Sequence, residues 1–130
     1  GILDGIEITK NNTGLNLCLA LNYGSRQEMV SAVQSIADKV KNGDLDSDEI
    51  DETIFSDALS TSEMPDPDLL IRTSGECRLS NFLLWQSAYT EIFMTDIYWP
   101  AFREDALMDA ILDFQSRERR YGKVSEQVNQ

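Results

Sequence analysis

Between Ile71 and Asn81 the chain reads Ile-Arg-Thr-Ser-Gly-Glu-Cys-Arg-Leu-Ser-Asn. Arg72 and Arg78 are permanent cations with planar donor forks, Ser74 and Ser80 add hydroxyl donors, and Gly75 offers a backbone amide that a ligand can approach closely. Such a set suits a phosphate, a diphosphate or a carboxylate, with Asn81 closing the motif. Two readings stand side by side: an anion cradle, and a surface turn whose arginines pair with Glu76 and nearby aspartates. A diphosphate would satisfy this many donors better than Glu76 alone, each charge-assisted bond being worth about 1.5–3 kcal/mol net. Glu76 and Glu91 are candidate magnesium ligands, since hard carboxylate oxygens suit a diphosphate-bound cation. Each also has a plainer reading, Glu76 as an arginine partner and Glu91 as an exposed residue at an element boundary.

Two further clusters carry charge. Asn22-Tyr23-Gly24 and Arg26 follow an apolar run, where Asn22 and Arg26 are minor ligand candidates or simply a turn and a helix-surface arginine. Arg117, Arg119 and Arg120 crowd a helix C-terminus, which the helix dipole favours. Arg117 and Arg120 are also spaced to share a face toward an anion or another chain. Cys77 has no apparent base beside it and is read as passive, and Cys18 as a small core hydrophobe.

These residues need elements to hold them. Leu15–Leu21 alternates leucines with small residues and predicts a strand covered on both faces, as in a parallel sheet. Ser25 with Glu28 predicts a capping box, followed by a helix with Met29, Val30, Val33, Ile36, Ala37 and Val40 inward and a stop at Asn42-Gly43-Asp44. The acidic stretch 44–52 predicts a solvated loop leading to a short helix that buries Ile50, Ile54, Phe55 and Leu59; it lacks the ligand spacing of a calcium loop. A second strand is expected over 68–73, a helix over 81–88 burying Phe82, Leu84 or Leu83, and Trp85, and a third strand over 91–95. Trp99-Pro100-Ala101-Phe102 predicts a turn with buried aromatics, and 104–119 a last amphipathic helix. The opening residues 1–10 read as the last turns of a helix. The fold class expected is α/β, a central and mainly parallel sheet flanked by helices, incomplete in this chain.

Bulk properties narrow the function. The 130 residues carry 23 acidic and 11 basic side chains, a net charge of -12, and no histidine. That charge disfavours nucleic acid and anionic membrane surfaces as partners. The lack of histidine removes a Cys–His nucleophile pair and a His-containing zinc site. The two cysteines form no disulfide framework, so a cytoplasmic, reducing setting is expected. No apolar run reaches the length of a membrane span.

Asn22-Tyr23-Gly24-Ser25-Arg26, the long stretch Pro67 to Gln86, Ala88-Tyr89-x-Glu91, Trp99-Pro100-x-Phe102 and Arg117-x-Arg119-Arg120-Tyr121-Gly122 occur in this order. Together they resemble the cis-prenyltransferase family, its bacterial undecaprenyl diphosphate synthases in particular, and specifically the C-terminal half. The resemblance implies a homodimeric α/β enzyme with an apolar tunnel. Such an enzyme adds isopentenyl diphosphate to an allylic diphosphate, commonly farnesyl diphosphate, with Mg²⁺. It implies that Arg72, Arg78 and Ser80 hold the isopentenyl diphosphate, with Glu76, Ser74, Gly75 and Asn81 as the supporting polar motif. Glu91 is tied by it to the metal, while Arg120 and Gly122 reach toward the neighbouring subunit's site. Membrane association is implied only through the lipid product.

The family's Asp-Gly-Asn-Gly-Arg-Trp loop, which bears its catalytic aspartate, and a later Asn-Trp pair do not occur in this sequence, and Cys77 stands where many members have histidine. The expectation is therefore a C-terminal portion of one cis-prenyltransferase domain over 1–130, inactive alone, with 123–130 a flexible tail. Two alternatives are a non-catalytic partner subunit of the same family and a small α/β anion-binding module.

Overall fold

The computed structural model describes residues 1–118. Its elements run α1 (Ile2–Thr9), α2 (Ser25–Asn42), a 3-10 turn at Ser47–Glu49, α3 (Glu52–Asp57), β1 (Leu69–Arg72), β2 (Glu91–Met94), a 3-10 turn at Trp99–Ala101 and α4 (Glu104–Ser116). The sheet is the parallel pair β1–β2, in register from Leu69 opposite Glu91 to Arg72 opposite Met94. Parallel strands need a crossover connection. Residues 73–90 supply it, and they hold the candidate cradle.

α2 ends where expected. Gly43 adopts a left-handed φ of 79° and its amide donates back to Lys39 and Val40, the closing turn that glycine allows without a Cβ penalty. Its inward stripe is rotated from the expected one: Ser25, Ala32 and Ile36 are buried and Met29 and Val40 half-buried, while Val30 and Val33 face solvent. The spacing of 25, 29, 32, 36 and 40 is still one helical face. The α2 N-terminus also differs from the expected capping box. Gly24 is the N-cap, with no side-chain cap, and Glu28 turns away toward other elements.

α2 packs on α3, and α4 on β2. Between the helices Phe55 lies tilted on Trp85, ring centroids 4.5 Å apart, and Trp85 Nε1 donates to Ser56 Oγ at 2.9 Å. Leu59 is buried beside them, whereas Ile50 is exposed. α4 buries Ala106 and Ala110 and half-buries Ile111 and Phe114.

Four expectations are overturned. Leu15–Leu21 is not a strand: among the described residues the only paired strands are β1 and β2, and Leu15, Leu17, Leu19 and Leu21 are all exposed. Alternating leucines show that a segment wants cover, but a strand also needs an edge to pair with. Cys18 is accordingly exposed, not a core residue. Residues 81–88 form turns instead of a helix, because Asn81 and Leu83 hold left-handed φ values of 61° and 45°. Trp99 is not buried; it stands in solvent, stacked on Phe102 with centroids 6.1 Å apart.

Candidate functional site

β1 ends at Arg72, and the chain then turns back on the ends of both strands. The Ser74 amide donates to Ile97 O at 3.0 Å and the Gly75 amide to Thr95 O at 2.9 Å. The Gly75 amide expected to face an anion is therefore engaged within the fold, as is that of Ser74. Gly75 has φ 67°, and a Cβ there would lie 2.9 Å from Asp96 Oδ1, so glycine is required both by backbone region and by space.

Arg72 and Arg78 lie on one small hollow of about 40 Å³, with Leu70, Cys77, Leu79, Ile92 and Met94. Their states differ. Arg78 is 67% exposed and ion-paired with Glu76, so the plainer reading of Glu76 holds. Arg72 is half-buried, and among the described residues its Nε is buried without a hydrogen-bond partner. An unmet donor on a permanent cation is costly unless something completes it. Ser80 is exposed with a left-handed φ of 52°. Cys77 is exposed, its Sγ 3.9 Å from Gly75 O.

Glu91 opens β2 and faces α4. It accepts from Arg117 Nη1 at 2.8 Å, and Arg117 Nη2 lies 2.6 Å from Asp113 Oδ2. Arg117 Nη1 also donates to Ile92 O. The hydrogen bond to Glu91 foremost, with Asp113, raises the Arg117 pKa above its already high ordinary value. Arg117 is thus turned inward as a strut between α4 and β2, and of its two readings, helix C-terminal charge and a reach toward an anion or another chain, it serves neither outward role here. Arg119, Arg120, Gly122 and the 123–130 tail lie outside the described residues.

Glu91 is the one candidate metal ligand besides Glu76, and both are engaged by arginines. Among the described residues no three Asp, Glu or Cys side chains converge on a metal position. These residues do not by themselves build a magnesium site.

Sequence reasoning missed a polar hub behind the cradle. Glu28 accepts from Tyr23 OH at 2.6 Å, from the Ser60 amide at 2.9 Å, from the Ser60 hydroxyl and from Gln86 Nε2 at 3.4 Å. Burial pushes its carboxyl pKa up, but the hydrogen bonds from Ser60, Tyr23 and Gln86 together outweigh that and hold it below its ordinary value. Burial and then the bond to Glu28 raise the Tyr23 pKa. Nothing in the sequence links position 28 to 60 and 86; only the fold does. Asn22 and Tyr23 also line an apolar cleft of about 530 Å³ with Leu19, Leu21, Phe82 and Leu83. Arg26 is exposed.

Comparison with known proteins places this geometry. The profile of a family described as "Putative undecaprenyl diphosphate synthase" matches residues 2–122. An isoprenyl transferase of Bacillus cereus is 57% identical over 119 residues, 92% of this chain and 46% of that protein. The (2E,6E)-farnesyl-diphosphate-specific ditrans,polycis-undecaprenyl-diphosphate synthase of Micrococcus luteus is 54% identical over 121 residues, 93% of this chain and 49% of its own. Among solved structures, lavandulyl diphosphate synthase of Lavandula x intermedia, in complex with dimethylallyl diphosphate, superposes with a TM-score of 0.90 at 41% identity, covering 94% of this chain and 52% of that one. The chain spans about half the length of the curated relatives it matches.

Two expectations are corrected by these matches. The likeness is not confined to a C-terminal half: the family profile runs along nearly the whole chain. The qualification of the sheet as incomplete goes with it, and the observed α/β arrangement is a small parallel sheet with flanking helices. Since the match spans residues 2–122, and with them both strands, the loop between them and the flanking helices, the chain belongs to the prenyltransferase family of undecaprenyl diphosphate synthase and its relatives.

Proposed function

We propose that the protein is a cis-prenyltransferase that condenses isopentenyl diphosphate with an allylic diphosphate, and that Arg72 and Arg78 grip the diphosphate of the isopentenyl substrate. The observation that carries this reading is the Arg72 guanidinium at the carboxyl end of β1, with its Nε buried and unmet among the described residues. Carboxyl ends of parallel strands are where open α/β sheets take ligands. Arg78, on the same hollow, is held by Glu76 at the surface and can exchange that partner for a diphosphate oxygen at little cost, because exposed ion pairs contribute little. Ser80 supplies a hydroxyl beside it. Glu76, Ser74 and Gly75 shape the loop.

In the reaction the allylic C–O bond breaks and its electron pair leaves with the diphosphate. The isopentenyl alkene forms the new C–C bond to the allylic carbon, and loss of a proton from the adduct leaves the cis double bond. The residues named above orient the isopentenyl unit and offset the charge of its diphosphate, so that its alkene terminus is presented at the right distance. The apolar cleft beside Tyr23 and Phe82 lies within the roughly 300–1,000 Å³ range of small-molecule sites and is the proposed seat of hydrocarbon. The M. luteus relative is named for farnesyl diphosphate, which is the primer proposed. A homodimer in which Arg120 and Gly122 reach the neighbouring site is proposed from the family likeness, as is a requirement for Mg²⁺, to which Glu91, engaged by Arg117, is not assigned as a ligand.

The test is Arg72→Ala in the full-length protein, with each substrate varied separately. Loss of one or more charge-assisted hydrogen bonds, at about 1.5–3 kcal/mol each, raises KM for isopentenyl diphosphate roughly ten- to hundredfold and leaves that for the allylic substrate nearly unchanged. Equal rises for both substrates would assign the cradle to the wrong diphosphate.

A further inference from the structure

The loop that carries Arg78 and Ser80 ends at Asn81, and Asn81 is fastened through three atoms to the first turn of α2. Its carbonyl accepts from the Ser25 amide at 2.8 Å, its Oδ1 from the Arg26 amide at 2.9 Å, and its Nδ2 donates to Gln27 Oε1 at 3.0 Å. From the helix side Ser25 Oγ, on a fully buried residue, accepts from the Leu84 amide at 3.0 Å. A Cβ at position 24 would stand 2.9 Å from Asn81 Nδ2, so Gly24 leaves the room for this docking. The first amides of a helix have no partner within it. An N-cap side chain commonly supplies one; here Asn81, 55 positions from Arg26, does so instead.

The docking fixes the loop's second end. Its first end is pinned by the Ser74 and Gly75 amides on the β2 side. Residues 76–80 span the gap between these two anchors, and Arg78 and Ser80 are among them. Ser80 and Asn81 both hold left-handed backbone; asparagine tolerates it, but for serine it is uncommon, and such strain gathers at functional sites. We propose that Asn81 is a positioning residue: by gripping the α2 N-terminus it sets Arg78 and Ser80 in the geometry that binds isopentenyl diphosphate. This rests on the reading of the cradle as that substrate's site.

Asn81→Gly removes the side chain without adding backbone strain at φ 61°, and Asn81→Asp keeps the Oδ1 acceptor. In the full-length protein, steady-state kinetics with each substrate varied separately read both variants. Asn81→Gly is expected to raise KM for isopentenyl diphosphate about tenfold, with kcat and the allylic KM within about twofold. Asn81→Asp is expected to recover most of that loss. Should Asn81→Gly fail to fold, Ser25→Ala takes its place, with a rise of about threefold in the same constant. An unchanged isopentenyl KM overturns the proposal. So does a parallel fall in all parameters, as simple loss of folded protein would give, or a failure of Asn81→Asp to recover. Arg72→Ala run alongside separates the two readings. If it raises the isopentenyl KM and Asn81→Gly does not, the cradle stands and the positioning role falls; if neither moves, both fall.

Discussion

The polar groups around Glu28 and those around Arg72 are built to opposite rules. Glu28 is half-buried and meets Tyr23, Ser60 and Gln86 on three separate segments of chain, so its charge is answered inside the fold. Arg72 is half-buried too, yet its Nε has no partner among the described residues, while Arg78 beside it is mostly in solvent. Because burying an unmet polar group is costly, the first pattern marks a brace, and the second is the one on which the proposed diphosphate site rests. Similar burial, opposite accounting, different work.

The comparison breaks if the two regions respond alike to mutation. The largest expected effect is on binding: Arg72→Ala should raise the isopentenyl diphosphate KM well beyond what Arg78→Ala does, because Arg78 exchanges one partner for another while Arg72 Nε has no partner among the described residues to give up. Kinetics showing the reverse order would move the main contact to Arg78. Next comes Glu28→Ala, which takes the shared acceptor from Tyr23 and Ser60, while Gln86 Nε2 keeps Thr61 Oγ1, and should destabilise the fold by about 2–3 kcal/mol, read as a lower Tm, with the isopentenyl KM unaffected where the variant is folded.

Its pH dependence sharpens the point. The folded Glu28 pKa lies below the ordinary 4.5, so its contribution is complete above that value and is lost as the pH falls through the lower folded one. The Tm gap between the unaltered protein and Glu28→Ala should narrow in acid; a gap that widens there would contradict the direction of the shift. Gly75→Ala should cost about 1–2 kcal/mol from its left-handed backbone, to which the crowding of Asp96 adds, and should disturb both stability and isopentenyl binding. Tyr23→Phe is the smallest change, about 0.5–1.5 kcal/mol, measurable by denaturant titration and silent in the isopentenyl KM.

What could be read from residues alone was whatever depends on neighbours in sequence. The α2 helix and its Gly43 stop, β1, β2 and α4 follow from periodicity and caps, and Arg72 and Arg78 from their types beside a strand end. The errors fall where distant segments decide. Residues 81–88 have a helical apolar pattern but are pulled into left-handed turns by Ser25 and the α2 N-terminus. Glu28 sits at a capping-box position yet serves Ser60 and Gln86. Arg117 has the spacing of an exposed cation but is held by Glu91 and Asp113. The Leu15–Leu21 pattern names an apolar segment and is silent on whether an edge is there to receive it.

The sequence by itself determined the kinds of group available: guanidinium forks and hydroxyls set on a turn after a parallel strand. Tertiary structure alone decided which of those groups are answered within the chain and which stay open, because hydrogen-bond partners 25 to 59 positions apart are brought within reach only when the chain is folded.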